Sequence, residues 1–154
     1  MTMAYTEIKE RNNRKYFYRV TSLRKGNKIK KQRIYLGVNL NTISLLKKET
    51  EADKKISNKK RIKSIEKIKI RILPILKKKK IKRAGIFGSY AKGLQKKNSD
   101  IDILVQPSEN MGFAFAALRE QLSKALKKKV DLVSYNGLSL YLKDRILKEE
   151  VRII

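Results

Sequence analysis

The stretch from Ile81 to Val105, IKRAGIFGSYAKGLQKKNSDIDILV, constrains the fold more than any other part of the chain. The apolar run Ala84 to Phe87 stops at Gly88-Ser89, and ten residues later Asp100-Ile101-Asp102 opens a second apolar run that ends at Val105. Short apolar runs bounded by turn residues predict strand, glycine turn, short helix or loop, and strand. Strand side chains alternate faces at about 3.3 Å per residue, so Asp100 and Asp102 project on one side roughly 6.6 Å apart while Ile101 and Ile103 pack behind them. Carboxylates that close repel unless a cation lies between them, and a hard divalent ion such as Mg2+ takes oxygen ligands of this kind. Backbone N–H groups at Gly88-Ser89, near a helix start, suit a phosphate. Together these residue types describe a place for a divalent cation and a nucleotide.

A third carboxylate has the same orientation. In KVDLVS, Lys129 to Ser134, Asp131 points opposite to its neighbours Val130 and Leu132. On an adjacent strand, about 4.8 Å away, it can join Asp100 and Asp102. Gly88-Ser-Tyr-Ala-Lys-Gly93 begins like a P-loop, but Leu94-Gln95 stands where Lys-Ser/Thr is needed, so ATPase chemistry of that type is not expected. Tyr90 and Tyr135 read as packing residues.

The joint pattern of GIFGSYAKG, SDIDILV and KKVDLVS resembles the polymerase-β-like nucleotidyltransferase superfamily, and within it the minimal nucleotidyltransferase (MNT) proteins that serve as antitoxins of HEPN toxins. The resemblance covers roughly Arg61 to Ile154. It implies that Asp100 and Asp102 hold two Mg2+ ions, that Asp131 completes the catalytic site where an acceptor hydroxyl loses its proton, and that ATP is the substrate. It also implies nucleotide contacts from Gly88, Ser89 and Lys92, the last standing where the family has arginine. The partner implied is a HEPN-family toxin, modified on a hydroxyl, that of a tyrosine, within a hetero-oligomer. Two alternatives are a catalytically idle antitoxin acting by occlusion, and a nucleic-acid-binding regulator acting through the N-terminal arm.

Charge matters mainly through its distribution. The net charge is +26, and residues 1–83 hold 28 Lys/Arg against 6 Asp/Glu, whereas residues 84–154 hold 12 against 8. The positive field thus precedes the chemical motif, as in an arm for DNA, RNA or an acidic partner. Drift toward lysine in an AT-rich or hot-habitat genome explains the excess equally well. With no cysteine and no histidine, disulfides, His or Cys metal ligands, Ser-His-Asp triads and His-based RNA cleavage are excluded, and carboxylates remain as bases. No apolar run approaches a membrane span and no signal-peptide core is evident, so a cytoplasmic protein without membrane contact is expected.

The expected fold class is α+β: a small mixed-sheet nucleotidyltransferase domain at 61–154, preceded by a basic three-stranded antiparallel β meander at 1–40 and a helical connector at 41–60. Strands are expected at 3–11, 15–24 and 28–36, separated by Asn12-Asn13 and Lys25-Gly26-Asn27. Basic residues interleaved with Tyr16, Phe17, Tyr18 and Tyr35 suit nucleic-acid contact, or else the aromatics form the meander's own core. A helix capped by Asn41 or Thr42 should run to about Ile56, with Ile43, Leu46 and, as a third candidate, Leu45 inward and Glu49, Glu51 and Asp53 outside, before Ser57-Asn58 breaks it. A second helix, about Lys60 to Lys78, should be kinked or divided at Pro74. Beyond the central stretch come a loop at Pro107 to Gly112, a helix at Phe113 to Lys127 burying Phe115, Leu118, Leu122 and Leu126, a last helix at Tyr141 to Glu150, and a terminal strand or tail.

Overall fold

The computed structural model describes residues 4–25, 28–107 and 112–154. The chain divides into two compact units, Met1–Asn58 and Lys59–Ile154. Both are mixtures of strand and helix, and the α+β class holds.

In the first unit, β1 (Ala4–Arg11), β2 (Arg14–Lys25) and β3 (Lys28–Val38) form an antiparallel sheet in that order. Asn12 and Asn13 make the β1–β2 turn with φ of 51° and 57°. Asparagine tolerates this left-handed backbone better than other residues bearing a Cβ. Of the expected turn at Lys25-Gly26-Asn27, residues 26 and 27 lie outside the described residues. On one face of the sheet, Phe17 and Leu36 pack against Ala52 of the following helix, with Ile34, Leu40 and Leu45 beside them.

That helix, α1 (Thr42–Lys78), corrects the expected break and part of the expected inward face, and it is not divided at Pro74. It runs unbroken through Ser57 and Asn58 and contains Pro74. Serine and asparagine in a helix interior cost only a few tenths of a kcal/mol each relative to good formers, too little to stop a helix with packing partners beyond them. Pro74 removes one N–H, but the acceptor it deprives is the carbonyl of Ile70, a residue 73% exposed, where water can take its place. The inward face differs in part: Ile43 and Leu46 are exposed, while Leu45, the third candidate, faces the sheet together with Ala52. Glu49 and Asp53 turn toward the sheet too, because Arg19 of β2 waits there. The Arg19 guanidinium meets Asp53 in a two-pronged pair at 2.9 and 2.7 Å and reaches Glu49 at 3.3 Å. Thr6 adds a hydroxyl bond to Glu49. Asn41 provides the cap, its side-chain oxygen accepting from the Ser44 N–H at 2.8 Å.

The second unit is built on a four-stranded sheet of order β6-β5-β4-β7, made from β4 (Ala84–Phe87), β5 (Ile101–Val105), β6 (Val130–Ser134) and β7 (Val151–Arg152). β5 runs antiparallel to β4 and parallel to β6. One face is sealed by Ile65, Ile68, Ile72 and Leu76 of α1 and by Leu118, Leu122 and Leu126 of α3 (Gly112–Leu126), all packed on Ile86, Ile101, Ile103 and Val130. On the other face Leu104 meets Tyr135 and Ile146, the latter from α4 (Leu140–Glu149). Near that face the Arg83 guanidinium lies 4.0 Å from the centre of the Tyr135 ring, and the Tyr135 hydroxyl donates to Glu150. Gly85 has no room for a Cβ because the Glu150 side chain crosses directly over it. The loop expected at Pro107–Gly112 lies largely outside the described residues. No helix among the described residues is long and apolar enough to cross a membrane.

Candidate active site

The strand ends of the second unit bring the three aspartates to one edge. Strand β4 stops at Phe87, which pairs with Asp102, and the chain turns at once into the short helix α2 (Gly88–Lys92). Asp102 is in register with Asp131 across the parallel β5–β6 pair, so the two side chains share a face at about the inter-strand spacing of 4.8 Å. Asp100 precedes β5 by one residue, two positions before Asp102.

Gly88 is fixed by both conformation and space. Its φ is +66°, and a Cβ there would collide with the Asp102 carboxylate. The close approach expected of Gly88 is therefore made, in this structure, to the central aspartate. The Ser89 backbone N–H bonds to Asp102. Burial first, and then the charges of Asp131 and Asp100, push the Asp102 carboxyl above the usual aspartate range, outweighing the Ser89 contribution. A carboxylate held in this way is short of positive charge.

Lys129, a residue that sequence reasoning passed over, supplies some of that charge. Its ammonium lies 2.8 Å from Asp100 Oδ2 and 3.8 Å from Asp131 Oδ1. These two carboxylates hold Lys129 above the usual lysine range. The available signal was its position two residues before Asp131, on the same side of the extended chain, obscured by the run Lys127 to Lys129. Lys92 is engaged elsewhere, paired at 2.8 Å with Glu149 of α4, another residue that the sequence did not single out.

The donor set suits a hard divalent ion. Among the described residues no group of three carboxylates closes into a ready metal cage. Mg2+ rarely needs one, since it is commonly held by one or two carboxylates together with substrate phosphates and water. Lys129 gives a test of this fit. Replacing it with methionine removes a cation from Asp100 and Asp131, so the variant should bind Mn2+ alone several-fold more tightly in calorimetry without nucleotide. Unchanged or weaker binding would show that the ammonium does not compete with the metal.

Residues 66–154 match the family model described as polymerase beta, nucleotidyltransferase. The chain belongs to this nucleotidyltransferase family. A Methanocaldococcus jannaschii protein named for protein adenylyltransferase activity is 47% identical over 92 residues, which span 59% of this chain and 99% of that relative. The protein adenylyltransferase MntA of Thermococcus cleftensis is 36% identical over 74 residues, 47% of this chain and 75% of that one. Among solved structures, one described as a minimal nucleotidyltransferase is 29% identical with a TM-score of 0.52, covering 58% of this chain and 92% of its own. A toxin–antitoxin crystal structure with AMP-PNP is 30% identical with a TM-score of 0.51, covering 56% of this chain and 72% of its own. The matched region contains all six expected site residues, Gly88, Ser89, Lys92, Asp100, Asp102 and Asp131. The nucleotidyltransferase fold thus places the aspartates of β5 and β6 beside the turn that opens α2.

Proposed function

We propose that residues 61–154 transfer AMP from ATP to a tyrosine hydroxyl on a HEPN-family toxin, and that the chain thereby acts as the toxin's antitoxin. The observation that carries this reading is the in-register pair Asp102 and Asp131, with Asp100 beside it, at the Gly88-Ser89 turn of a domain whose relatives are named protein adenylyltransferases. The antitoxin role draws on the toxin–antitoxin neighbour with AMP-PNP.

The chemistry follows from the placement of the residues. Asp100 and Asp102 would hold Mg2+, with Asp131 completing the set. Bound there, two such ions neutralise triphosphate charge and lower the pKa of an acceptor hydroxyl. Asp131 stands on β6, the edge strand of the sheet, and with Lys129 lines an open groove of about 550 Å3 against α3. An acceptor presented at this edge meets Asp131 before the more buried Asp102. The hydroxyl oxygen forms its bond to the α-phosphorus, the bond from that phosphorus to the bridging oxygen breaks, and pyrophosphate leaves. The hydroxyl proton passes to the half-exposed Asp131 carboxylate. Ser89 holds the Asp102 carboxylate in place, and Lys92, if released from Glu149, brings a positive charge toward the departing phosphates.

The deciding experiment is incubation of the full chain with the protein encoded beside it, labelled ATP and Mg2+. The expected result is label on the partner, with a mass gain of one or more AMP groups, and a stable heteromer on co-expression. Co-purification without added mass would establish occlusion instead. Neither association nor transfer would overturn the antitoxin assignment.

A further inference from the structure

We propose that the second unit binds a dianionic phosphate, either free or at the end of a nucleic acid strand, in a hollow where α1 and α2 meet the end of α3. The hollow is separate from the nucleotidyltransferase centre.

The hollow has a volume of about 190 Å3. Lys67 and Arg71, one turn apart on the same face of α1, line it together with Lys128, which follows α3. Ile68, Ile101 and Leu126, all buried, give it apolar walls. Ile101 packs in the core beneath α1 and α3, and strand alternation turns its neighbour Asp102 to the other face of the sheet. No carboxylate lines the hollow, and none of the three cations is paired with one among the described residues. Like charges gathered beside apolar walls repel one another, and an anion between them relieves the repulsion.

The neutral groups lead to the same ligand. Tyr90 of α2 lines the hollow and is only 6% exposed, yet its hydroxyl has no hydrogen-bond partner among the described residues. That hydroxyl is not one of the polar atoms sealed from solvent, so it opens at the hollow. Ser64, another lining residue, accepts from the Gln95 amide at 3.1 Å, which leaves its own O–H free to donate. The Lys128 ammonium donates to the carbonyls of Lys97 and Ser99, at 2.7 and 3.3 Å, and keeps one N–H. These carbonyls fix the cation in place without cancelling its charge.

Donor number and charge select phosphate. Arg71 offers a planar fork of N–H groups, Lys67 a mobile ammonium, and Lys128, Ser64 and Tyr90 a hydrogen each. A carboxylate, with a single charge and a pair of oxygens, leaves part of this set unused. A phosphate monoester carries a charge of about −1.5 to −2 at pH 7 and roughly three strong acceptor oxygens, and inorganic phosphate is similar. The phosphodiesters inside a nucleic acid strand carry only a single charge each. A terminal phosphate or free phosphate therefore meets the donors best.

The test is calorimetry of the full chain with inorganic phosphate at constant ionic strength, with EDTA present so that no metal draws anions to the aspartates. Saturable binding is expected, tighter than that of acetate. Arg71→Gln should weaken it about tenfold or more. Lys143→Gln, which removes the same charge from an exposed position on α4, should change it by less than about twofold. Tyr90→Phe decides between a built site and general attraction, because it alters no charge and breaks no hydrogen bond among the described residues. It should weaken phosphate about tenfold while leaving the melting temperature unchanged. Single-stranded oligonucleotides with a 5′-phosphate or a 5′-hydroxyl then identify the source. Displacement of phosphate by the first alone assigns the end of a strand, and displacement by neither assigns free phosphate. Equal displacement by both, equal losses in Arg71→Gln and Lys143→Gln, unchanged affinity in Tyr90→Phe, or acetate bound as tightly as phosphate would overturn the proposal.

Discussion

Asp102→Asn is expected to lower nucleotidyl transfer by at least about a thousandfold while raising the melting temperature of the metal-free protein at neutral pH. The first effect follows from losing a charge that would hold the cation, an interaction worth several kcal/mol in the transition state, where each 1.36 kcal/mol is about tenfold in rate. The second follows from the direction of the Asp102 shift. Burial, Asp131 and Asp100 raise its folded pKa above the ordinary value, so the unfolded chain releases this proton more readily than the folded one. The resulting penalty grows as pH rises from the ordinary aspartate pKa through the raised one, and it is fully present above the raised one. Asparagine removes that penalty, and the difference in melting temperature should vanish as pH falls below both values. Scanning calorimetry of both proteins, neutral and acid, decides the matter. A neutral-pH melting temperature no higher than wild type would mean that Asp102 is not held against its charge.

Gly88→Ala should damage activity and stability together. A side chain at φ +66° costs about 1–2 kcal/mol, and the new Cβ must push the Asp102 carboxylate aside. Together they should cost about 2–3 kcal/mol in denaturant titrations and reduce transfer about a hundredfold or more as the aspartate is displaced. The cycle with Asp102→Ala separates the two causes, because in that background only the backbone strain remains. Equal stability losses in both backgrounds would show that Asp102 is not what the methyl group meets.

Much of the site could be read from the sequence because its determinants are local. Ala84–Phe87, the glycine turn and Ile101–Val105 lie within one short stretch, and the alternation around Asp102 and Asp131 sets their direction without knowledge of the rest. Errors arose where a residue's role depends on a distant partner. Glu49 and Asp53 look like solvent-facing charges because nothing near them in sequence announces Arg19, thirty or more residues earlier. Gly85 is required by Glu150, at the far end of the domain. Ser57-Asn58 read as a break because local propensity is weak against packing, and Ile65, Ile68, Ile72 and Leu76 continue the helix. Lys129 was lost in a basic run whose members look alike until a fold gives them different neighbours.

The pairing of Asp102 with Asp131 also bears on errors in folding. Val130 and Leu132 pack in the core while Asp131, between them, faces the site. A one-residue slip of β6 would send a carboxylate into the apolar interior and two hydrophobic side chains toward water. Such a strand loses its anchorage and its acid in the same movement. A misregistered molecule keeps Asp100, Asp102 and the glycine turn but lacks the carboxylate placed to take an acceptor's proton, and so falls silent rather than promiscuous.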